Sequence, residues 1–242
     1  MKQHFCHVVE NRILWADAQL LAVDAPELAR AMRPGQFALA RAGTTFDPYL
    51  RRALWLYVNA GAGVAFVLSA HDPLAARIRV GDQLDLLARL GHAIDLGAQA
   101  RHVLLIGEGT RIVQLIALAH ALVTQDREVV LVNRGEDVFP AYWLSPEIEY
   151  RTDDAWSTEL LAWADVIVTS GSEELYRALA DAIRAARYRL EPGFARVFVD
   201  VPMPCGTGAC YACAVETTRG IQLACADGPA FDLIEFENRR VR

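Results

Sequence analysis

Four of the five cysteines of this chain lie within 21 residues of one another, in the last fifth of the sequence. They are Cys205, Cys210, Cys213 and Cys225, and their spacing is C-x4-C-x2-C-x11-C. The first three follow the plant-type spacing of a [2Fe–2S] cluster, which four thiolates bind. The loop also contains glycines, which tolerate left-handed backbone angles and close approach of the chain to a ligand. The pattern therefore predicts a [2Fe–2S] cluster bound by these four cysteines.

Two other uses of the four cysteines are open at this point. A structural zinc site usually has two C-x2-C pairs, and only Cys210 and Cys213 form one here. A disulfide framework is typical of small secreted domains, whereas this chain has 242 residues, is 53% hydrophobic and begins without a signal-peptide pattern. Cys6 stands alone in an alternating apolar run, so we expect it to be an inert buried thiol.

Charge and hydropathy exclude several classes of partner. The net charge is −6, and no block of the sequence is rich in lysine or arginine, which argues against binding to nucleic acid or to an anionic membrane. Charged or polar residues interrupt every apolar stretch well before the ~20 residues that a membrane-spanning helix needs. Because free thiolates require a reducing compartment, we expect a cytoplasmic protein.

The pattern along the chain predicts three parts. Residues 1–98 contain short β-rich runs separated by turn signals, which is typical of a barrel. Residues 99–199 alternate apolar strands with amphipathic helices, which indicates a parallel sheet covered on both faces. Residues 200–242 contain the cysteines, and a hairpin formed by 214–218 and 221–224 would return Cys225 to the loop. The predicted fold class is therefore a β-barrel plus an α/β domain, with a C-terminal [2Fe–2S] hairpin segment.

Two motifs carry a resemblance to a known family. Residues 203–213 read M-P-C-G-T-G-A-C-Y-A-C, and residues 225–231 read C-A-D-G-P-A-F. In these motifs and in the order of its parts, the chain resembles the electron-transfer subunit of dihydroorotate dehydrogenase B, a branch of the ferredoxin–NADP reductase superfamily. The resemblance implies a ferredoxin reductase-like fold.

The resemblance also implies a function and a partner. In that family, FAD takes hydride from NADH, and the cluster passes single electrons to a catalytic flavoprotein subunit. We therefore expect an electron-transfer subunit rather than a stand-alone enzyme. It would act in a hetero-oligomer with such a flavoprotein, as in pyrimidine biosynthesis.

The flavin residues of the family map onto residues 52–55. The family reads R-P-[IL]-S there, with the arginine on the flavin phosphate and the serine bonded to the flavin; this chain reads Arg52, Ala53, Leu54 and Trp55. The resemblance implies FAD at these four residues, with Trp55 in place of the serine. The family's next flavin contact, Gly-Thr, corresponds to His71 and Asp72.

The pyridine-nucleotide residues of the family are largely replaced. The glycine-rich turn G-G-G-I-G-x-x-P corresponds to residues 107–114, which begin Gly107-Glu108-Gly109, and the family's C-G-x-P corresponds to Ser170-Gly171-Ser172-Glu173. These departures argue against NADH binding. They also suggest an alternative hypothesis, a non-enzymatic scaffold subunit with degenerate nucleotide sites and a cluster used as a wire or structural staple.

Overall fold

The computed structural model describes residues 2–42, 49–60, 63–152 and 157–236. The last six residues of the predicted segment 200–242 lie outside the described residues. The chain divides into two compact units, which we call the barrel unit and the α/β unit. The barrel unit comprises Met1–Ile94, Val201–Cys213 and Leu223–Pro229, and the α/β unit comprises Asp95–Asp200, Ala214–Gln222 and Ala230–Arg242. The three-part division at residues 98 and 199 stays a prediction.

The barrel unit is a closed, antiparallel sheet in the order β1-β2-β5-β4-β3-β6. Its strands are β1 (Lys2–Trp15), β2 (Ala18–Asp24), β3 (Phe37–Ala42), β4 (Arg52–Ala60), β5 (Gly63–Ser69) and β6 (Gln83–Leu90). Two short helices connect strands, α1 (Pro26–Ala31) and α2 (Pro73–Arg77). Closure leaves no free sheet edge, and this lets short strands form a stable body.

The α/β unit is built on a six-stranded sheet in the order β14-β11-β10-β7-β8-β9. Its strands are β7 (His102–Glu108), β8 (Glu128–Arg134), β9 (Ile148–Arg151), β10 (Val166–Ser170), β11 (Ala195–Phe198) and β14 (Ala230–Asp232). The first five run parallel, and β14 pairs antiparallel with β11. The helices are α3 (Val113–Val123), α4 (Thr158–Trp163) and α5 (Glu173–Arg187). The predicted barrel plus α/β fold is confirmed.

Sequence patterns explain the main elements of this unit. Val103–Ile106 is fully buried, as expected for a central parallel strand covered on both faces. Helix α5 buries Leu175, Leu179 and Ile183, which recur every four residues along one face. The Ser172 hydroxyl caps the start of this helix by accepting a hydrogen bond from the Leu175 N–H at 3.2 Å.

The remaining elements are short. Strands β12 (Ala214–Thr217) and β13 (Gly220–Leu223) form the predicted two-stranded hairpin. Single 3-10 turns occur at Gly109–Ile112, Ala141–Trp143 and Leu233–Phe236. At the first of these, the chain leaves β7 through Gly109 at φ +54°, and α3 begins only at Val113. Among the helices that the structure describes, we found none with the length and apolarity needed to cross a bilayer.

Candidate functional site

The four clustered cysteines lie in the barrel unit as two pairs of free thiols. The sulfur atoms of Cys205 and Cys210 are 3.2 Å apart, and those of Cys213 and Cys225 are also 3.2 Å apart. Cys213 and Cys225 are buried, with exposures of 0% and 2%. Cys205 is half-buried and Cys210 is exposed. One pair therefore faces the protein interior and the other lies at the surface.

The return of the chain after the hairpin holds Cys225 near Cys213. The Ala224 N–H donates to the Cys213 carbonyl at 3.0 Å. The Asp227 carboxylate accepts from the Leu223 N–H at 2.7 Å, and the carbonyl of Gly228 accepts from the His92 N–H of the barrel at 2.7 Å. The Asp-Gly-Pro that follows the fourth cysteine therefore fixes the loop and anchors it to the barrel.

Gly206 lets the cysteine loop lie directly on the barrel. Its φ is +66°, and a Cβ at this position would lie 2.7 Å from Leu90 Cδ1 and 2.8 Å from Leu39 Cδ1. Such separations are well below the 3.5–4.0 Å of ordinary carbon contacts. A side chain at this position would push the loop away from strands β3 and β6.

Gly206→Ala should therefore destabilise the protein more than a comparable glycine substitution elsewhere. The left-handed angle costs alanine about 1–2 kcal/mol, and the clash with the two leucines adds about 1–3 kcal/mol. Gly97→Ala is the matched control, because Gly97 has φ +72° and a Cβ added to it would have nothing within 4 Å. Urea unfolding of both variants measures the difference, and equal losses of unfolding free energy would contradict the proposed close packing.

Backbone N–H groups point at two of the sulfurs. Thr207 N lies 3.5 Å from Cys205 Sγ, and Gly208 N lies 3.2 Å from Cys225 Sγ. Burial alone would raise the pKa of the Cys205 thiol, but hydrogen bonds from the backbone of Thr207 and Cys210 outweigh it and lower this pKa to about 6. Burial, followed by the hydrogen bond with Cys213, raises the pKa of Cys225 to about 12. The backbone hydrogen bonds thus favour the thiolate form of Cys205, whereas burial disfavours that of Cys225.

The donor set fits a two-iron cluster. Four thiolates bind a [2Fe–2S] cluster, so each iron takes two of them, and the structure presents the sulfurs as two pairs. A zinc site instead needs four ligands around one ion. That these four cysteines are the ligands stays a prediction.

The predicted flavin residues lie on β4 and divide between the two faces of the sheet. The register pairs Trp55 with Phe37 and Ala53 with Leu39, so these four share one face, whereas Arg52 and Leu54 belong to the other. The rings of Trp55 and Phe37 are 5.6 Å apart. The face of Trp55 is also the face on which Gly206 contacts Leu39. Leu54 is fully buried, so its side chain is part of the barrel core.

Arg52 already has a carboxylate partner. Its Nε donates to Asp72 Oδ2 at 2.7 Å, and its side chain remains 41% exposed. The other oxygen of Asp72 accepts the Leu74 N–H at the start of α2. Asp72 thus uses the same two donors, an arginine and a helix N-terminus, that would suit a flavin phosphate. Arg52 can reach a phosphate only through its exposed part, and FAD at residues 52–55 stays a prediction.

The residues at the family's pyridine-nucleotide positions face each other inside the α/β unit. The Glu108 carboxylate accepts the Ser172 N–H at 2.6 Å. Ser170, which stands where the family has a cysteine, is 1% exposed and donates its hydroxyl hydrogen to the Gln114 side chain. These side chains are therefore engaged by the protein itself, and they do not fit a bound dinucleotide.

One charged group in the barrel unit was missed by reasoning from the sequence. Asp85 is 1% exposed and lies between Arg51, at 2.5 Å, and Arg41, at 3.0 Å. The Gln3 side chain also donates to it at 2.9 Å. The available signal was a carboxylate within the apolar run Leu84–Leu87, since a buried charge needs partners.

The comparisons with known proteins agree with the fold and with the cysteine segment. Residues 202–237 match the model of a family described as the iron–sulfur cluster binding domain of dihydroorotate dehydrogenase B. The chain is 26% identical over 254 aligned residues to the electron transfer subunit of dihydroorotate dehydrogenase B (NAD(+)) of Desulforamulus reducens. That alignment covers 89% of this chain and 95% of the relative. The resemblance found in the sequence is confirmed.

Solved structures support the same fold. An NADH-dependent reduced ferredoxin–NADP oxidoreductase, studied for flavin-based electron bifurcation, superposes with a TM-score of 0.74 at 21% identity, covering 95% of this chain and 88% of its own. Phthalate dioxygenase reductase superposes with a TM-score of 0.61 at 12% identity, covering 94% and 95%. At these identities the likeness is to the fold, which is ferredoxin reductase-like.

Proposed function

We propose that this chain is an electron-transfer subunit that relays electrons through a [2Fe–2S] cluster to a partner oxidoreductase. The observation that carries the proposal is the arrangement of Cys205, Cys210, Cys213 and Cys225 as one buried and one surface pair. The cluster would supply one-electron chemistry. Its surface pair of ligands would face a partner protein.

The protein's own residues prepare this site for electron exchange. The N–H groups of Thr207 and Gly208 would hydrogen-bond ligand sulfurs, and such bonds shift the reduction potential of a cluster. Gly206 keeps the loop against the barrel, and burial of Cys213 and Cys225 shields one side from water. The exposed rim at Cys210 leaves the other side accessible.

We propose that the partner is a catalytic flavoprotein subunit, and that the complex is a hetero-oligomer. The relative in Desulforamulus reducens is named as an electron transfer subunit of dihydroorotate dehydrogenase B, which makes pyrimidine biosynthesis the pathway that we infer for this chain. A cytoplasmic location is part of the proposal, because thiolate ligands need a reducing compartment. The similarity across most of the chain favours this function over the scaffold alternative.

FAD is the second cofactor of the proposal. Arg52 would hold it through the exposed part of its guanidinium, and Trp55 through a ring on the face that also carries the cysteine loop. Because these two residues lie on opposite faces of β4, they would contact different parts of the FAD molecule. A bound flavin would supply the conversion between two-electron and one-electron transfer. Ala53 is half-buried on the face of Trp55, whereas Leu54 would contribute only backbone, because its side chain is buried.

Cofactor analysis of anaerobically purified protein tests the proposed function. We expect a brown protein with about two iron and two sulfide per chain, and an EPR signal that appears on one-electron reduction. Flavin released by heating measures FAD separately. A colourless protein containing stoichiometric zinc would overturn the proposal.

A further inference from the structure

The order of the sheet places a crevice between β7 and β10 in the α/β unit. From β7 the chain continues to β8 and β9 on one side, and it then returns to β10 on the other side. In open α/β sheets, ligands bind outside the carboxyl ends of the strands at such a reversal of strand order. Any dinucleotide bound by this unit is therefore expected at the ends of β7 and β10.

Glu108 spans this crevice. It is the last residue of β7, and its Oε2 accepts the N–H of Ser172, which caps α5 just after β10. The N–H groups and the positive end of a helix N-terminus are the groups that bind ligand phosphates. A carboxylate of the protein therefore occupies one donor that a phosphate would use.

The side chain of Glu108 also takes the space beside a glycine. A Cβ on Gly171 would lie 2.3 Å from Leu175 Cδ2, 3.0 Å from Glu108 Cβ and 3.1 Å from Glu108 Oε2. The absence of a side chain at Gly171 thus accommodates Leu175 as well as Glu108. Packing also explains why residue 107 is a glycine, since a Cβ on Gly107 would lie 2.5 Å from the Cα of Ile112. Both glycines are explained by packing within the protein.

The nearby cation, Arg111, already has carboxylates of the protein as neighbours. Arg111 lies 3.9 Å from the Glu108 carboxylate and 3.5 Å from that of Asp200. Glu173 and Glu174 add two further carboxylates in the first turn of α5. A dinucleotide, with its negatively charged diphosphate, would enter a crevice that already holds carboxylates against its donors.

We infer that Glu108 closes the dinucleotide site of the α/β unit, so that neither NADH nor NADPH is the reductant of this chain. The electrons that it relays then come from another redox carrier; this second statement rests on the proposed function, whereas the closure does not. Glu108 is thus a residue that determines the choice of electron donor.

Calorimetric titration with NADH, and separately with NADPH, tests the closure without reference to the cluster. Wild-type protein should show no binding. Glu108→Gly frees the Ser172 N–H, and its dissociation constant should lie at least about tenfold below the weakest binding that the titration of wild type can detect, as expected for a hydrogen bond to a charged group. Binding by wild type as tight as by the variant would overturn the inference, as would a variant that gains no affinity.

Two further variants distinguish the specific effect of Glu108 from that of any negative charge nearby, and from misfolding of the glycine variant. Glu173→Gln removes a charge at the same helix start but leaves Glu108 in place, so its gain in affinity should be clearly smaller than that of Glu108→Gly; a gain equal to that of Glu108→Gly would contradict the inference. Glu108→Gln keeps the length and the acceptor oxygen, and it should gain less than Glu108→Gly. This variant also provides the test if the glycine variant does not fold.

Bleaching of the visible spectrum distinguishes failure of this inference from failure of the proposed function. Dithionite should bleach anaerobic wild-type protein, whereas NADH should leave the spectrum unchanged. Bleaching by NADH would overturn the closure and leave the electron-transfer function intact. A protein without visible colour would instead refute the proposed cluster, and the titrations would still decide the closure.

Discussion

Cys213→Ala should yield a protein without the visible absorption of the cluster and with almost no bound iron, whereas Cys6→Ala should keep the wild-type iron content. The physical reason is the number of ligands. A [2Fe–2S] cluster needs four thiolates, and the four cysteines supply them as two pairs. Removing Cys213 leaves Cys225 without its neighbour 3.2 Å away. The same loss is expected for Cys205→Ala, Cys210→Ala and Cys225→Ala.

Cys6 is a matched control because it is also a buried cysteine, with 6% exposure. Replacing it makes the same chemical change in the same barrel unit, far along the chain from the loop. Iron and sulfide analysis together with the visible spectrum measures the outcome in all five variants. Full iron content in Cys213→Ala, or equal loss in Cys6→Ala, would show that the cluster ligands are assigned wrongly.

The sequence was most informative where function depends on residues close together in the chain. Cys205 and Cys210 are five positions apart in the predicted cysteine loop, and their sulfur atoms lie 3.2 Å apart. The same holds for Ser172 at the start of α5, where a capping residue precedes an amphipathic run. Local rules suffice for such features, because the backbone geometry of a loop or helix fixes which neighbours can touch.

The sequence was least informative where partners come from distant strands. Glu108 and Ser172 are 64 residues apart, and they meet only because β10 returns beside β7. The flavin motif shows a different difficulty: Arg52 and Trp55 look like one site in the sequence, yet alternation along β4 places them on opposite faces. Likewise, the partner of Arg52 became evident only when the barrel placed Asp72 next to it.

Asp85→Asn should be among the most destabilising single substitutions in the barrel unit. Asp85 is almost fully buried, and its carboxylate neutralises part of the charge of Arg41 and Arg51. Without it, two guanidinium groups with side-chain exposures of only 24% and 16% would face each other. Removing one partner from a buried ion pair costs about 3–5 kcal/mol, and we expect a loss of that size in urea unfolding near neutral pH.

Asp82→Asn is the control for this substitution. Asp82 lies three residues earlier and is exposed, and its carboxylate accepts the Arg79 N–H at 2.7 Å. Asparagine keeps an oxygen acceptor there, so we expect a change within about 0.5 kcal/mol. A loss of unfolding free energy of less than about 1 kcal/mol for Asp85→Asn would be in the range of a surface ion pair. It would show that Arg41 and Arg51 are solvated and that Asp85 does not stabilise the barrel as a buried ion-pair partner.

The pH dependence gives the same prediction an independent test. Burial tends to raise the pKa of Asp85, but the hydrogen bonds from Arg51 and Gln3 and the charges of both arginines hold this pKa below its usual value. A carboxyl whose pKa is lower in the folded state contributes stability above its unfolded pKa, about 3.9, and loses it as the pH falls through the folded pKa. The difference in unfolding free energy between wild type and Asp85→Asn should therefore be full near neutral pH and should shrink in acid. A difference that stays constant into acid would mean that the charge of Asp85 is not what stabilises the barrel.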